Sequence, residues 1–181
     1  LNGAKTIDPK TWEFALGSSV QNNNYLSSSL GIPVPQMVIS ARYGLEENLD
    51  VGLQTYLGGG IIDFRTTFAE HNDWHFAIAP GIGGLYGGVL GQVDLRMPIR
   101  AEKQLSSKWS TVWGVTPLTQ HSFVWLPAAN ETLVNAYIGG TARFVRHYKR
   151  CNIGYSIDAL HNTGRSVPPS WSFGVDLSFR R

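Results

Sequence analysis

The chain has 181 residues, of which 43% are hydrophobic and 15% are charged, and its formal net charge is +2. That length suffices for one domain with a core or for one closed barrel, and so small a net charge argues against nucleic-acid binding. The one cysteine, Cys151, excludes an internal disulfide, and no stretch approaches the roughly 18 consecutive apolar residues of a membrane helix. The chain opens at "LNGAKTIDPK" without a signal peptide, so we expect either a mature, processed form or a cytosolic protein.

Strict alternation of apolar and polar residues recurs along the chain and predicts about ten β-strands. In the first of them Trp12, Phe14 and Leu16 share one face, and Glu13 and Ala15 lie on the other. No run with the period of a helix interrupts the series. In chain order, the predicted strands are residues 12–18, 37–45, 49–57, 61–68, 74–82, 89–100, 108–118, 133–144, 152–160 and 170–181.

The residues on the face opposite the apolar side chains distinguish two kinds of β-fold. In a soluble sandwich or a lipocalin-like barrel the apolar face is buried, and lysine, glutamate and threonine cover the face in solvent. Here the second face carries glycine, alanine and charges of both signs, which suits a confined interior where acids pair with arginines. Its charged residues are Glu13, Asp50, Asp63, Arg65, Asp94, Arg96, Arg100, Arg143, Asp158 and Asp176.

An apolar outside and a polar inside are typical of a transmembrane β-barrel. We therefore predict an all-β fold: a closed antiparallel up-and-down barrel of about ten strands, with eight as the alternative number, around a polar, filled lumen. Residues 1–181 form a single domain, of which 1–10 are a periplasmic N-terminal lead-in. A soluble sandwich or lipocalin-like barrel, with the two faces reversed, is the alternative interpretation.

The connections between the predicted strands alternate in character, as the short periplasmic turns and longer outer loops of bacterial barrels do. Apart from "GGG" at 58–60, one set is longer and rich in Asn, Ser and Pro. Both termini fall on the side of the shorter set, as an even number of strands requires. The longer set is 19–36, 58–60, 84–88, 119–132 and 161–170, and the shorter set is 46–48, 70–73, 101–108 and 145–151.

The closing residues "SFGVDLSF" resemble the β-signal of small bacterial outer-membrane β-barrel proteins, with Ser172, Gly174, Leu177 and Phe179 at its defining positions. The resemblance implies that the last strand is recognised by the barrel-assembly machinery of a Gram-negative bacterium. The opening "NGAKTIDPKTWEFALGSS" also resembles small barrels that follow a lipoprotein-type leader, in which a lipidated cysteine would precede Leu1. The sequence leaves that anchor open.

Three functions are compatible with this class of barrel. About ten strands enclose a lumen only slightly wider than one that side chains fill, which argues against a general diffusion pore but leaves a narrow substrate-specific pore open. The class also includes lipid A deacylases, a palmitoyltransferase and omptin proteases. The residues that suggest such an enzyme here are His161, Asp158 and Ser166, although Asp158 and His161 have opposite parity on a strand and the family's His-x-Ser motif is absent.

Two further stretches contain residues that could bind a metal ion or a partner. The run "EHNDWH" at 70–75 has imidazoles and carboxylates, but a four-residue His spacing brings ligands together on a helix rather than in a hairpin turn, so we expect no metal and no cofactor. The loop after the seventh strand contains an apolar run that should not lie freely in water, and it is the candidate partner-binding surface. The run consists of Phe123, Val124, Trp125 and Leu126.

The sequence thus favours an integral outer-membrane barrel with a structural or accessory role, which binds a partner through its extracellular loops or its wall. A lipid-modifying enzyme and a narrow substrate-specific pore are the alternatives. The expected partners are outer-membrane lipid or lipopolysaccharide, the assembly machinery during insertion and a larger outer-membrane complex, with no nucleic acid.

Overall fold

The computed structural model describes residues 3–22, 34–87, 90–126, 129–164 and 169–180. Among them no helix is long and apolar enough to cross a membrane. The secondary structure of this part of the chain consists of strands joined by turns. The strands are β1 (Trp12–Asn22), β2 (Val34–Glu46), β3 (Leu49–Tyr56), β4 (Gly59–His71), β5 (Trp74–Ile78), β6 (Gly81–Gly87), β7 (Leu90–Arg96), β8 (Ile99–Ser106), β9 (Trp109–Leu126), β10 (Ala129–His147), β11 (Cys151–Asn162) and β12 (Ser170–Arg180).

The strands form one closed antiparallel barrel. Apart from β5 with β6 and β7 with β8, strands that follow each other in the chain pair with each other. β12 returns to pair with β1, so that Phe14 lies opposite Phe179 and Leu16 opposite Leu177. Because β5 and β6 pair with the same neighbours end to end, as do β7 and β8, these twelve described segments make a ten-stranded wall. The predicted fold class is therefore confirmed.

Prolines divide two of the ten strands, which the sequence pattern predicted as uninterrupted. Pro80 separates β5 from β6, and Pro98 separates β7 from β8, because a proline has no N–H to donate to the neighbouring strand. Pro117 lies in β9 beside the second interruption. The carbonyl groups of these three prolines still accept hydrogen bonds, at 3.0, 2.9 and 3.1 Å, from the amides of Phe64, Ala79 and Met97.

Side-chain exposure alternates along each strand in the sense expected for a membrane barrel. In β1 the side chains of Trp12, Phe14 and Leu16 are 45 to 50% exposed, whereas Glu13 and Ala15 are 5 and 6% exposed. A soluble protein buries its large apolar side chains and exposes its charges. The reversed pattern means that the apolar face of the wall meets lipid and the polar face lines the lumen.

The two ends of the barrel differ in the length of their connections. The end that carries both termini has connections of two or three residues, at 47–48, 72–73, 107–108 and 148–150. The opposite end has equally short connections at 57–58, 88–89 and 127–128, but it also has the two long ones, at 23–33 and 163–169. Short turns are typical of the periplasmic side, so the opposite end is extracellular.

Several predicted connections are instead mostly strand, among them the predicted loop at 84–88, which belongs to β6 as far as Gly87. The predicted loop at 119–132 belongs to β9 and β10, which continue to Leu126 and from Ala129, and the predicted turn at 101–108 is strand as far as Ser106. In both places the backbone hydrogen bonds continue along the neighbouring strand, although the sequence alternation has faded.

Candidate functional site

The lumen holds a layer of paired charges, which we call the central charged layer: Arg42, Asp50, Asp63, Arg65 and Arg96. The guanidinium of Arg42 donates to both Asp50 and Asp63. Arg65 donates to Asp50 Oδ2 from Nη2 at 2.5 Å and from Nε at 3.1 Å. Arg96 Nη2 lies 3.4 Å from Asp63 Oδ2. Because each carboxylate lies between two guanidinium groups, the layer forms a continuous chain from Arg65 to Arg96 across β2, β3, β4 and β7.

The register of the wall determines these pairs. Asp50 lies directly opposite Arg65 in the β3–β4 ladder, and Arg42 lies opposite Gly52 in the β2–β3 ladder. A Cβ atom on Gly52 would lie 2.3 Å from Arg42 Nη2, so this position has room for the guanidinium only because it is glycine. Gly154 has the same relation to Arg143, with a distance of 2.3 Å from its added Cβ to Nη2.

The other charged residues predicted for the lumen lie there in smaller groups. Arg143 pairs with Asp176, and Glu13 accepts from Arg180 Nε at 2.7 Å. Asp94 accepts from Gln92 at 2.8 and 3.0 Å, and Asp158 accepts from Thr141 Oγ1 at 2.7 Å. The guanidinium Nη1 of Arg100 is buried and has no hydrogen-bond partner among the described residues.

Sequence reasoning missed two members of the lumen network. The sequence places Arg42 on the polar face of its strand, between Ala41 and Tyr43. Alternation alone does not predict that Asp50 and Asp63 both accept hydrogen bonds from it. Glu102 was assigned to a turn, and the structure places it in β8, where it is 7% exposed.

The N-terminal segment, residues 3–11, closes part of the periplasmic end from inside the barrel. Its Ala4 and Ile7 are 0 and 1% exposed. Ile7 N donates to Asp50 Oδ2 at 3.0 Å, and Ala4 N donates to Glu102 Oε2 at 2.9 Å. Arg65 Nη1 donates to the Gly3 carbonyl at 2.7 Å. The predicted lead-in therefore crosses the lumen from β3 to β8, held by carboxylates of the wall.

The wall carries a glycine where this segment turns. Gly44 N donates to the Thr11 carbonyl at 3.1 Å, and Lys10 N donates to the Gly44 carbonyl at 2.9 Å. A Cβ atom at Gly44 would lie 2.2 Å from the carbonyl oxygen of Asp8. The N-terminal segment can therefore lie against β2 only because residue 44 has no side chain.

A chain of hydrogen bonds runs from Glu102 to β11 at the same end. Ser110 Oγ donates to Glu102 Oε1 at 2.9 Å and lies 3.0 Å from His147 Nε2, and His147 Nδ1 lies 2.9 Å from Asn152 Oδ1. Serine, histidine and amide in this order resemble a hydrolase triad. Ser110 is 0% exposed, however, and its hydroxyl hydrogen is directed at a carboxylate, so no substrate can reach it. The arrangement instead connects the N-terminal segment with β8, β9, β10 and β11.

The residues predicted from the enzyme hypothesis do not come together. Asp158 points into the lumen, whereas His161 is exposed on the outer side of β11, as their parity predicts. Ser166 lies outside the described residues. On the lumen side, Asp158 and Asp176 line a cavity of about 140 Å³ together with Ser19, Ser40 and other small polar residues. Hydroxyls and carboxylates of this kind bind water or small polar molecules.

The predicted partner-binding run lies in the extracellular half of β9. The side chain of Phe123 is partly buried, whereas those of Val124, Trp125 and Leu126 lie outside the part of the chain whose side chains are described. The backbone pairs Leu126 with Ala129, so the run belongs to a hairpin with β10 rather than to an irregular loop.

The residues of the predicted β-signal lie in β12, which closes the barrel. Ser172 and Gly174 face the lumen, and Leu177 and Phe179 face outward, with Phe179 47% exposed. Recognition by the assembly machinery stays a prediction. Among the described residues no group of three or more His, Cys, Asp or Glu side chains is placed to hold a metal ion.

The fold is similar to those of solved outer-membrane barrels. The outer membrane protease OmpT from Escherichia coli has a TM-score of 0.52 at 7% identity, with 99% of this chain and 100% of that chain covered. LpxR from Salmonella typhimurium has a TM-score of 0.50 at 8% identity, with 91 and 99% covered, and the outer membrane protein OprG from Pseudomonas aeruginosa has 0.49 at 6% identity, with 99% of each chain covered. No family model and no curated protein matches the sequence.

Because the sequence identities are only 6 to 8%, these structural similarities support the fold and carry no information about activity. A barrel of this fold with an apolar outer wall and a polar lumen is an integral protein of the bacterial outer membrane.

Proposed function

We propose that this outer-membrane barrel has a structural or accessory role and binds a partner protein through the extracellular hairpin of β9 and β10. The observation that carries the proposal is how far this hairpin extends beyond the end of the neighbouring strand β11. β10 pairs with β9 from Ala129 onward but with β11 only from Tyr137 onward, so residues 129–136 extend beyond the end of β11.

The length of these strands exceeds what the membrane requires. β9 and β10 have 18 and 19 residues. At about 3.3 Å per residue and a tilt of about 45°, a strand of that length rises about 42 Å, against an apolar band of about 25 Å. The excess lies outside the membrane, where a role in recognition is its most direct use.

The hairpin also carries apolar side chains above the level at which β11 ends. Leu133 and Val134 are 46 and 61% exposed. The two residues point to opposite faces of β10, and each is an apolar side chain whose exposure to water contact with another protein would remove. Phe123, Val124, Trp125 and Leu126 belong to the opposite strand of the same hairpin.

The lumen favours a structural role over the two alternatives. The central charged layer and the N-terminal segment occupy the path that a substrate-specific pore would need. Asp158 and His161 lie on opposite faces of β11, and Ser110 is buried, so neither set is arranged for acyl or peptide hydrolysis.

The test is gentle detergent extraction from native membranes, followed by native gel electrophoresis and mass spectrometry. We expect the chain to copurify stoichiometrically with a larger outer-membrane protein. Val134→Asn should release that partner, whereas the matched variant Val20→Asn, at an exposed valine near the extracellular end of β1, should retain it. A solitary barrel that carries only lipid, or equal loss of the partner in both variants, would contradict the proposal.

A further inference from the structure

The periplasmic end of the barrel is asymmetric in charge. One arc, which we call the basic rim, carries Lys103, Lys108, Arg146, Lys149 and Arg150, all exposed except Lys103, which is half-buried. Glu102 lies in the same part of β8, but its side chain points into the lumen and accepts hydrogen bonds from Ser110 and the N-terminal segment. The exposed acids lie on the opposite arc and in the turn beside β8: Asp8, Glu46, Glu47, Glu70 and Asp73. The N-terminal segment adds two exposed cations at this end, Lys5 and Lys10.

Aromatic rings hold two of these cations at the surface of the wall. The guanidinium carbon of Arg146 lies 5.3 Å from the ring centroid of Trp109 and 5.1 Å from that of Tyr148. Lys103 Nζ lies 5.4 Å from the ring centroid of Trp74. Tryptophan and tyrosine prefer the membrane–water interface, so these contacts keep the cations at the level of the lipid headgroups.

Arg146 is well placed to bind an anion from outside the protein. It has no carboxylate partner among the described residues, and its side chain points outward from β10. Two residues further into the membrane, Phe144 is 50% exposed on the same face, and Trp113 on β9 is 52% exposed. A ligand that meets this surface therefore has an apolar part beside Phe144 and an anionic group beside Arg146.

We propose that the basic rim binds the phosphate-containing headgroup of an anionic phospholipid in the periplasmic leaflet. The guanidinium of Arg146 donates two parallel hydrogen bonds to the phosphate, a geometry that suits arginine. Lys108, Lys149 and Arg150 add the positive potential that distinguishes an anionic lipid from a zwitterionic one. The acyl chains of the lipid lie along the wall above the rim.

Native mass spectrometry of the purified full chain tests the proposal, with equal amounts of phosphatidylglycerol and phosphatidylcholine of identical acyl chains. The wild type should retain phosphatidylglycerol in preference. Arg146→Gln should lower the ratio of bound phosphatidylglycerol to phosphatidylcholine about fivefold, as expected for one basic group near a membrane surface. Arg146→Lys, which keeps the charge but loses the paired hydrogen bonds, should lie between the two.

Lys10→Asn is the matched control, because it removes one exposed positive charge from the other arc and asparagine tolerates the φ of 61° at that position. It should keep the wild-type ratio. An equal loss of preference in Lys10→Asn, or an unchanged ratio in Arg146→Gln, would overturn the proposal.

Two additional measurements test for a folding defect and for other ligands of the basic rim. If Arg146→Gln fails to refold, the turn variant Lys149→Gln/Arg150→Gln replaces it, with the same expected direction and the same refuting result. Inorganic phosphate added at millimolar concentration should leave the lipid ratio unchanged; displacement of the lipid would assign the rim to free phosphate instead. Capture of an acidic protein with no lipid preference would likewise refute lipid binding.

Discussion

Replacement of Asp50 by asparagine removes the carboxylate that Arg42 and Arg65 share in the lumen, while it preserves the shape of the side chain. Asp50 is 0% exposed and accepts from Arg42, from Arg65 at 2.5 and 3.1 Å and from Ile7 N at 3.0 Å. Asparagine retains one acceptor oxygen, but the guanidinium groups lose most of their compensating charge.

The expected cost follows from this environment. Removal of one partner from a buried ion pair costs about 3–5 kcal/mol, because it leaves an uncompensated charge in a medium of low dielectric. Asp50→Asn should therefore lower the free energy of unfolding by about that amount, a change of at least about 100-fold in the ratio of folded to unfolded chain.

Urea unfolding in detergent micelles, followed by tryptophan fluorescence in both directions, measures this difference. Asp158→Asn is the control, because Asp158 is only partly buried and accepts from the neutral Thr141, a bond that an amide oxygen can still accept. It should cost about 1 kcal/mol or less. Equal costs for the two variants would refute the electrostatic argument.

A second substitution separates charge from packing. Arg65→Gln in the Asp50→Asn background removes one of the two uncompensated cations, so it should restore part of the lost stability although it is itself a truncation. Additive losses in the double variant would mean that Asp50 and Arg65 do not act as a pair.

Three other predictions concern the backbone and the last strand. Gly44→Ala should displace the N-terminal segment and raise its hydrogen-exchange rate by at least tenfold, whereas Gly140→Ala, where an added Cβ meets nothing within 4 Å, should not. Pro117→Val should supply the missing N–H to the ladder and stabilise the barrel against urea by about 1 kcal/mol. Phe179→Asn should reduce assembly in cells several-fold relative to Phe173→Asn, a similarly exposed residue at a variable position of the predicted β-signal, as measured by the folded fraction in isolated outer membranes.

Each of these has a result that would count against it. Equal exchange in the two glycine variants would mean that the N-terminal segment does not depend on the space at residue 44. A less stable Pro117→Val would mean that the wall has adapted to the proline. Equal assembly of the two phenylalanine variants would remove the basis for the β-signal.

Local alternation was enough to predict the barrel, because each strand has one face in lipid and one in the lumen. Trp12, Glu13 and Phe14 already show this period, and it repeats in nearly every strand. The same parity placed Asp158 and His161 on opposite faces. It failed in residues 119–132, which continue β9 and β10 although their apolar and polar residues do not alternate.

Pairs such as Asp50 and Arg65 lie on neighbouring strands of one hairpin, but other lumen contacts form only on closure of the barrel. Glu13 meets Arg180 across a separation of 167 residues, and Ala4 meets Glu102 across 98. No local pattern encodes such contacts, because they depend on the number of strands, their register and the positions of glycines such as Gly52. Entry of the N-terminal segment into the lumen follows from the same closure, since Asp50 and Glu102 face each other only once the wall is complete. The amino-acid sequence by itself therefore determined the wall and its two faces, whereas the tertiary structure decided what fills the space that they enclose.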